Sequence, residues 1–202
     1  YASDIRKVVL LGPAHRVAAP GLALPNVDML ATPLGTVPVD GDSIQSLLAL
    51  PQVTANAAVH AMEHSLEVQL PFLQMALEDF TLVPLAVGDA SASEVAQVLD
   101  CVWGGPETLI VISSDLSHYQ PYAQARSTDH QTLRAILNLK PDLTPRQACG
   151  ATPINGLLQV AQARGLHPEV LGMCNSGDTS CDRSRVVGYA AVVFAPANHV
   201  IH

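Results

Sequence analysis

Histidine, aspartate and cysteine are the side chains that move protons and hold metal ions near neutral pH. In this sequence they cluster directly after apolar runs. Lys7–Leu11 reads KVVLL and leads through Gly12, Pro13 and Ala14 to His15. Thr108–Ser113 reads TLIVIS and leads through Ser114 to Asp115 and His118. Glu169–Met173 leads into Cys174, Asp178, Cys181 and Asp182. His64 sits in the segment Met62–Glu67, which reads as the start of a helix. A histidine beside an aspartate suits proton transfer, and histidines with a carboxylate or thiolate suit a metal ion. Each residue also has an ordinary explanation. His15 could be a loop histidine beside the turn Gly12-Pro13, and Asp115 a cap or Asx-turn residue. His118 could be surface, and Asn175-Ser176-Gly177-Asp178 is good turn chemistry. Cys174 and Cys181 could be ordinary small buried residues. Convergence of three strand ends on the same edge of one sheet is what favours a site.

A competing pattern, His60-x-x-Glu63-His64, spells the H-x-x-E-H order of one zinc peptidase class, with Glu63 as general base. It arises readily by chance among eight histidines. It also needs a helix starting before His60, and Pro51–Val59 offers neither a clear cap nor an apolar stripe. The expectation is that His60→Ala is silent.

The elements that must position these residues alternate. KVVLL, Thr81–Val87, Thr108–Ser113, Glu169–Met173 and Arg185–Phe194 read as strands, continuous apolar runs suited to a sheet covered on both faces. Pro84 hints at an edge or a bulge. Leu66, Leu70, Leu73 and Leu77 predict an amphipathic helix over Glu63–Asp79, kinked or divided at Pro71. Ser93–Val102 is predicted helical with Ser91 or Ser93 as cap, as are Ser127–Leu137 and Pro153–Arg164, the last stopped by Gly165. This order predicts an α/β protein, a mostly parallel central sheet flanked by helices on both faces, in a single domain spanning residues 1–202. Pro13–Pro38 reads as a loop with irregular strands such as Leu22–Leu24, and Ala195–His202 as a frayed tail.

Composition narrows the classes. The chain has 202 residues, 49% apolar and 14% charged, with a net charge of −8. That is enough apolar mass for a core and the wrong sign for a nucleic-acid binder. The longest apolar stretch, Val186–Ala197, is shorter than the ~20 residues a spanning helix needs, so no membrane is expected. Four cysteines are too few for a disulfide scaffold of this size, which fits a reduced, cytoplasmic setting.

Taken together, the motifs resemble a known family. Leu11-Gly12-Pro13-Ala14-His15 is similar to its G-P-S-H element, Glu63-His64-Ser65-Leu66-Glu67 with Leu70-Pro71 to its E-H-S block, and Ser113-Ser114-Asp115-Leu116-Ser117-His118 to its S-S-D-x-x-H block. Cys149-Gly150, Asn175–Asp178 and Ser184–Ala191 resemble the last blocks. This is the MEMO-like family, called in bacteria AmmeMemoRadiSam system protein B. The resemblance runs from the first residues to about Phe194.

The resemblance implies a fold like that of class III extradiol dioxygenases and a histidine-lined, metal-pocket-like cleft. It implies that His15 is a metal ligand, that His118 is the acid/base group with Asp115 beside it, and that His64 is a pocket histidine. A further ligand comes from the loop before the last strand. Ungapped counting puts Thr179 where animal members have cysteine, so Cys181, Asp178 or Asp182 would substitute. Fe(II) is the implied ion, with Zn or Cu as alternatives, and a small aromatic, catechol-like molecule the substrate. The other implied function is a non-catalytic module that binds a peptide or protein alongside radical-SAM and AMMECR-type partners. The family carries a further metal-ligand histidine in a P-H-A-G-Y strand upstream of the G-P-S-H block. This chain opens at Tyr1 without it, so the 202-residue form is expected to hold metal poorly and an extended form better.

Overall fold

The computed structural model describes residues 2–196. The chain splits into two compact units, Tyr1–Ser113 and Ser114–His202.

In the first unit the apolar runs become a five-stranded sheet in the order β5-β2-β6-β1-β7. These are β1 (Lys7–Pro13), β2 (Leu22–Leu24), β5 (Val53–Ala55), β6 (Thr81–Val87) and β7 (Thr108–Ile112). β1 lies parallel to both β6 and β7, with Leu11 level with Leu85 and with Ile112. β2 is parallel to β5 but antiparallel to β6, so the sheet is mixed. Residues of both parities are buried along β1 and β6, Val8 and Leu10 as fully as Val9 and Leu11, because both faces are covered. One face, with Val8, Leu10 and Leu82, meets Val59 of α2 (Ala57–Ala61), Leu70 of α3 (Leu70–Ala76) and Phe80. α4 (Ala92–Val102) buries Val95, Val98, Leu99 and Val102, an i, i+3, i+4, i+7 stripe, and lies beside α1 (Gly41–Leu47). The region Pro13–Pro38 holds β2 and a small hairpin, β3 (Met29–Thr32) with β4 (Gly35–Pro38).

Ser91 caps α4 in a reciprocal arrangement. Its Oγ accepts from the Glu94 backbone N–H at 3.2 Å, and its own N–H donates to Glu94 Oε2 at 2.7 Å. Ser91→Ala is expected to cost about 1 kcal/mol, read as a lower midpoint of urea unfolding with an unchanged slope.

The second unit is an antiparallel sheet in the order β8-β10-β9, made of β8 (His118–Gln120), β9 (Leu166–Asn175) and β10 (Val186–Pro196). Two helices, α5 (Tyr122–Leu137) and α6 (Ala151–Arg164), bury Leu133, Ile136, Ala151 and Leu158 against Val170, Met173, Ala190, Val192 and Phe194. Gly165 ends α6 at φ 65°, the left-handed stop its sequence predicts.

Four expectations are corrected. The strands at Glu169–Met173 and Arg185–Phe194 do not extend the parallel sheet, because they pair with each other as an antiparallel ribbon. The helix expected over Glu63–Asp79 shrinks to a 3₁₀ turn at Glu67–Gln69 and α3, with Pro71 in the first turn of α3, where a missing N–H costs nothing. Pro84 lies in an interior strand. There β2 pairs only with Ala86 and Val87, so β1 alone flanks β6 at the proline. Of the tail, Ala195 and Pro196 continue β10, and the rest lies outside the described residues. Among the described residues, no helix is long and apolar enough to cross a membrane.

Candidate functional site

The loop from Ser114 to Ser117 is fixed on three sides within the second unit. Asp115 and Cys149 hold each other twice: the Asp115 N–H donates to Cys149 Sγ at 3.2 Å, and the Cys149 N–H donates to the Asp115 carbonyl at 3.2 Å. Ser114 Oγ donates to the Asp115 carbonyl at 2.7 Å and accepts from the Gly150 N–H at 2.8 Å, at the start of α6. The Leu116 N–H donates to the Gly188 carbonyl of β10, and the Gly188 N–H donates to the Ser117 carbonyl. The Ser117 N–H donates to Oδ1 of Asp129, a fully buried carboxylate on α5, at 2.9 Å. His118 then enters β8, paired with Val187.

This scaffold brings Asp115, His118 and Cys149 together, with their ligand atoms all within 4.8 Å of one another. His118 Nε2 stands 3.4 Å from Asp115 Oδ2. That is long for a hydrogen bond, yet close to the spacing of about 3.4 Å between two ligands that each lie ~2.1 Å from one tetrahedral ion. All three residues are partly exposed, so an incoming molecule can reach them. Among the described residues this is the one group of three or more such side chains that could share an ion. The donor set, one imidazole, one carboxylate and one thiolate, fits a borderline ion such as Fe(II), Zn(II) or Cu. Three protein ligands leave positions open, as at catalytic rather than structural sites.

Aromatic side chains stand beside the group. The Tyr119 ring meets the His118 ring edge-on at 5.7 Å, and the Arg185 guanidinium lies 5.0 Å from the Tyr119 ring centre. Tyr119 is 64% exposed and has a φ of 57°, a left-handed conformation a bulky residue rarely adopts. Burial raises the Tyr189 phenol above its ordinary range, and the charges of Asp115 and Cys174 raise it further.

The first unit holds the other expected histidines. The Ala14 N–H donates to the Val87 carbonyl, fixing the chain as it leaves β1. His15 then meets Glu63: its backbone N–H donates to Glu63 Oε2, and its Nδ1 lies 3.1 Å from Oε1. Glu63 Oε1 also accepts from the backbone N–H of His64 at 2.9 Å and of Ser65 at 3.1 Å. The Glu63 side chain is 4% exposed, that of His15 47%. Burial by itself would raise the Glu63 carboxyl, but the donors on His15, Ser65 and His64 outweigh it and hold it at about 2. Gly12 lets Ser65 and Leu66 approach, since a Cβ there would stand 2.9 Å from both side chains. His64 pairs through Nδ1 with Glu67 at 2.7 Å, both side chains well exposed.

The peptidase pattern does not assemble. α2 ends at Ala61, His60 Nε2 is bound to the Ala23 carbonyl at 2.9 Å, and Glu63 serves His15. The expected convergence of three strand ends on one sheet edge is also corrected. β1 and β7 do run parallel and leave by the same edge, but β9 belongs to the separate antiparallel sheet. In the loop after β9, both carboxylate oxygens of Asp178 are engaged, Oδ1 by the Tyr122 hydroxyl at 2.6 Å and Oδ2 by the Asn175 N–H at 2.9 Å. Cys181 is an exposed free thiol at φ 61°. Neither residue belongs to the three-donor group. Cys149 does, and sequence reasoning gave it no role. Its one signal was its place in the Cys149-Gly150 block just before a helix.

Comparisons with known proteins agree with one another. A family model described as "Memo-like protein" matches residues 2–193. A "MEMO1 family protein" of Aquifex aeolicus is 36% identical over 200 residues, covering 93% of this chain and 75% of that protein. One from Methanosarcina acetivorans is 37% identical over 199 residues, covering 92% and 74%. Among solved structures, an uncharacterized protein, JW3007, from Escherichia coli K12 has a similar fold, with a TM-score of 0.55 at 15% identity, covering 93% of this chain and 86% of that one.

Proposed function

This chain belongs to the Memo-like protein family, and we propose that it is a metal-binding protein of oxidoreductase type whose ion is held by Asp115, His118 and Cys149. The observation that carries this reading is the meeting of three different donor types within 4.8 Å around a loop whose backbone is fixed on three sides. A ready-made arrangement of this kind lowers the ordering cost of binding. When bound, an ion such as Fe(II) would supply Lewis acidity and a redox centre with open positions. The chain's own residues would do the rest. Tyr119 would offer a ring face to a small aromatic molecule, with Arg185 behind it, and the Ser114–Ser117 scaffold would keep the donors in place. Kinship with class III extradiol dioxygenases is part of this proposal and is supported by the motifs and by the α/β fold.

The test is anaerobic Fe(II) and Zn(II) titration by calorimetry. We expect one ion per chain, with affinity falling 10–100-fold in Cys149→Ser and in His118→Ala and unchanged in His60→Ala. Wild-type affinity in the first two variants would remove the three-donor reading. Asp115 and His118 would then remain as an oriented proton-transfer pair, the role the resemblance implies. Oxygen uptake with catechols, lost in His118→Ala, tests the enzyme itself.

A second reading, the non-catalytic module, is favoured by one feature. Val68, Phe72 and Met75 recur at spacings of four and three and are 50%, 74% and 78% exposed, an apolar face suited to a protein partner. Replacing Phe72 and Met75 with serine should abolish binding to an AMMECR-type or radical-SAM partner while leaving metal affinity unchanged.

A further inference from the structure

We infer that Glu63 is a positioning residue that locks His15 with its proton on Nδ1, so that the Nε2 lone pair faces outward, open to an incoming ligand. The inference concerns the first unit and does not depend on the Asp115 group.

The geometry leaves one tautomer. Glu63 Oε1 is approached by the backbone N–H of His64 and of Ser65 and by His15 Nδ1, while Oε2 takes the His15 backbone N–H. A carboxylate receiving that many donors is an acceptor only. The ring atom facing it at 3.1 Å must therefore carry the hydrogen, which leaves the Nε2 lone pair free. The carboxylate cannot swing away. It is almost wholly buried, and besides the ring it is held by three backbone N–H groups, those of His15, His64 and Ser65, on two chain segments. The Ser65 hydroxyl ties those segments together again, donating to the Pro13 carbonyl at 2.8 Å. The His15 side chain, by contrast, is 47% exposed, so a ligand can reach the free nitrogen. A buried carboxylate behind an accessible imidazole is the arrangement that fixes ring orientation and raises basicity in metal-ligating histidines.

His64 and Glu67 form an internal control. Their 2.7 Å contact looks alike, but both side chains are more than half exposed. That pair exchanges with water and should set no tautomer.

The test is a long-range ¹⁵N–¹H correlation spectrum of the histidine rings at about pH 8, where imidazole is neutral. In the wild-type protein His15 should show a pyrrole-type Nδ1 and a pyridine-type Nε2. Glu63→Gln should shift both nitrogens toward averaged values, whereas Glu67→Gln should leave His15 untouched. A pyrrole-type Nε2 on His15 in the wild-type protein overturns the inference without any variant. So does a wild-type His15 pattern in Glu63→Gln. None of these measurements touches Asp115, His118 or Cys149, so failure here and failure of the metal reading above are separable.

Discussion

Gly188→Ala is expected to destabilise the protein by about 3 kcal/mol and to disable the three-donor group at the same time. An added Cβ at this position would stand 2.0 Å from Asp129 Oδ2 and 2.6 Å from its Cγ. Neither side can yield cheaply. β10 is held at Gly188 by two hydrogen bonds, its N–H to the Ser117 carbonyl at 2.9 Å and its carbonyl to the Leu116 N–H at 2.8 Å. Asp129 is fully buried, and its Oδ1 satisfies the Ser117 N–H. Rotating the carboxylate aside would orphan that donor, at about 1–3 kcal/mol, on top of about 1–3 kcal/mol for overpacking. Leu116 and Ser117 lie between Asp115 and His118, so whatever moves them moves two of the three donors. Urea unfolding and metal titration of the same sample read both effects. Asp129→Ala in the Gly188→Ala background removes the obstacle, so the double variant should recover part of the lost stability. A Gly188→Ala protein within about 0.5 kcal/mol of wild type would show that the contact is not tight.

The elements with a clear period were legible in the sequence, and those fixed by distant partners were not. Continuous apolar runs marked β1 and β6, since a strand covered on both faces has no polar side to display, and also β7, the partly buried end strand. Ser91 was one of two serines that marked the start of α4, and its hydrogen-bond pair with Glu94 identifies it as the cap. The Leu66–Leu77 period misled because its leucines serve two short elements rather than one long helix. The chain between Met62 and Leu66 is drawn out of helical geometry by Glu63, whose carboxylate caps His64 and Ser65 while it holds His15, 48 residues away. β9 and β10 read as parallel-sheet strands because an apolar run carries no sign of its partner's direction.

The candidate site divides in the same way. Asp115 and His118 are three residues apart, so their pairing is written locally. Cys149 lies 34 residues further on and meets Asp115 only because α6 begins where the Ser114–Ser117 loop ends its turn. Asp178 was one of three ligand candidates that the resemblance offered. Its carboxylate is committed to the turn at Asn175 and to Tyr122, a contact across 56 residues that spacing could not reveal.

Acidification should remove about 3 kcal/mol of stability through Glu63 alone. The carboxyl sits at about 2 in the folded protein against an ordinary 4.5, and that gap corresponds to about 3 kcal/mol of preference for the charged form on folding. Because the folded value is the lower one, the contribution is complete above about pH 4.5 and is lost as pH falls toward 2. Across that window the unfolded chain takes up a proton that the folded protein refuses. Other carboxylates lowered by their hydrogen bonds, Asp40 among them, add slopes of the same sign. The Glu63 share is isolated by comparison with Glu63→Gln, which keeps the shape and loses the titration. Urea unfolding of both proteins from pH 6 to about pH 2 should show wild-type stability falling more steeply, with the two curves converging as the wild-type carboxyl is protonated. Parallel curves would mean that His15, His64 and Ser65 do not hold the charge.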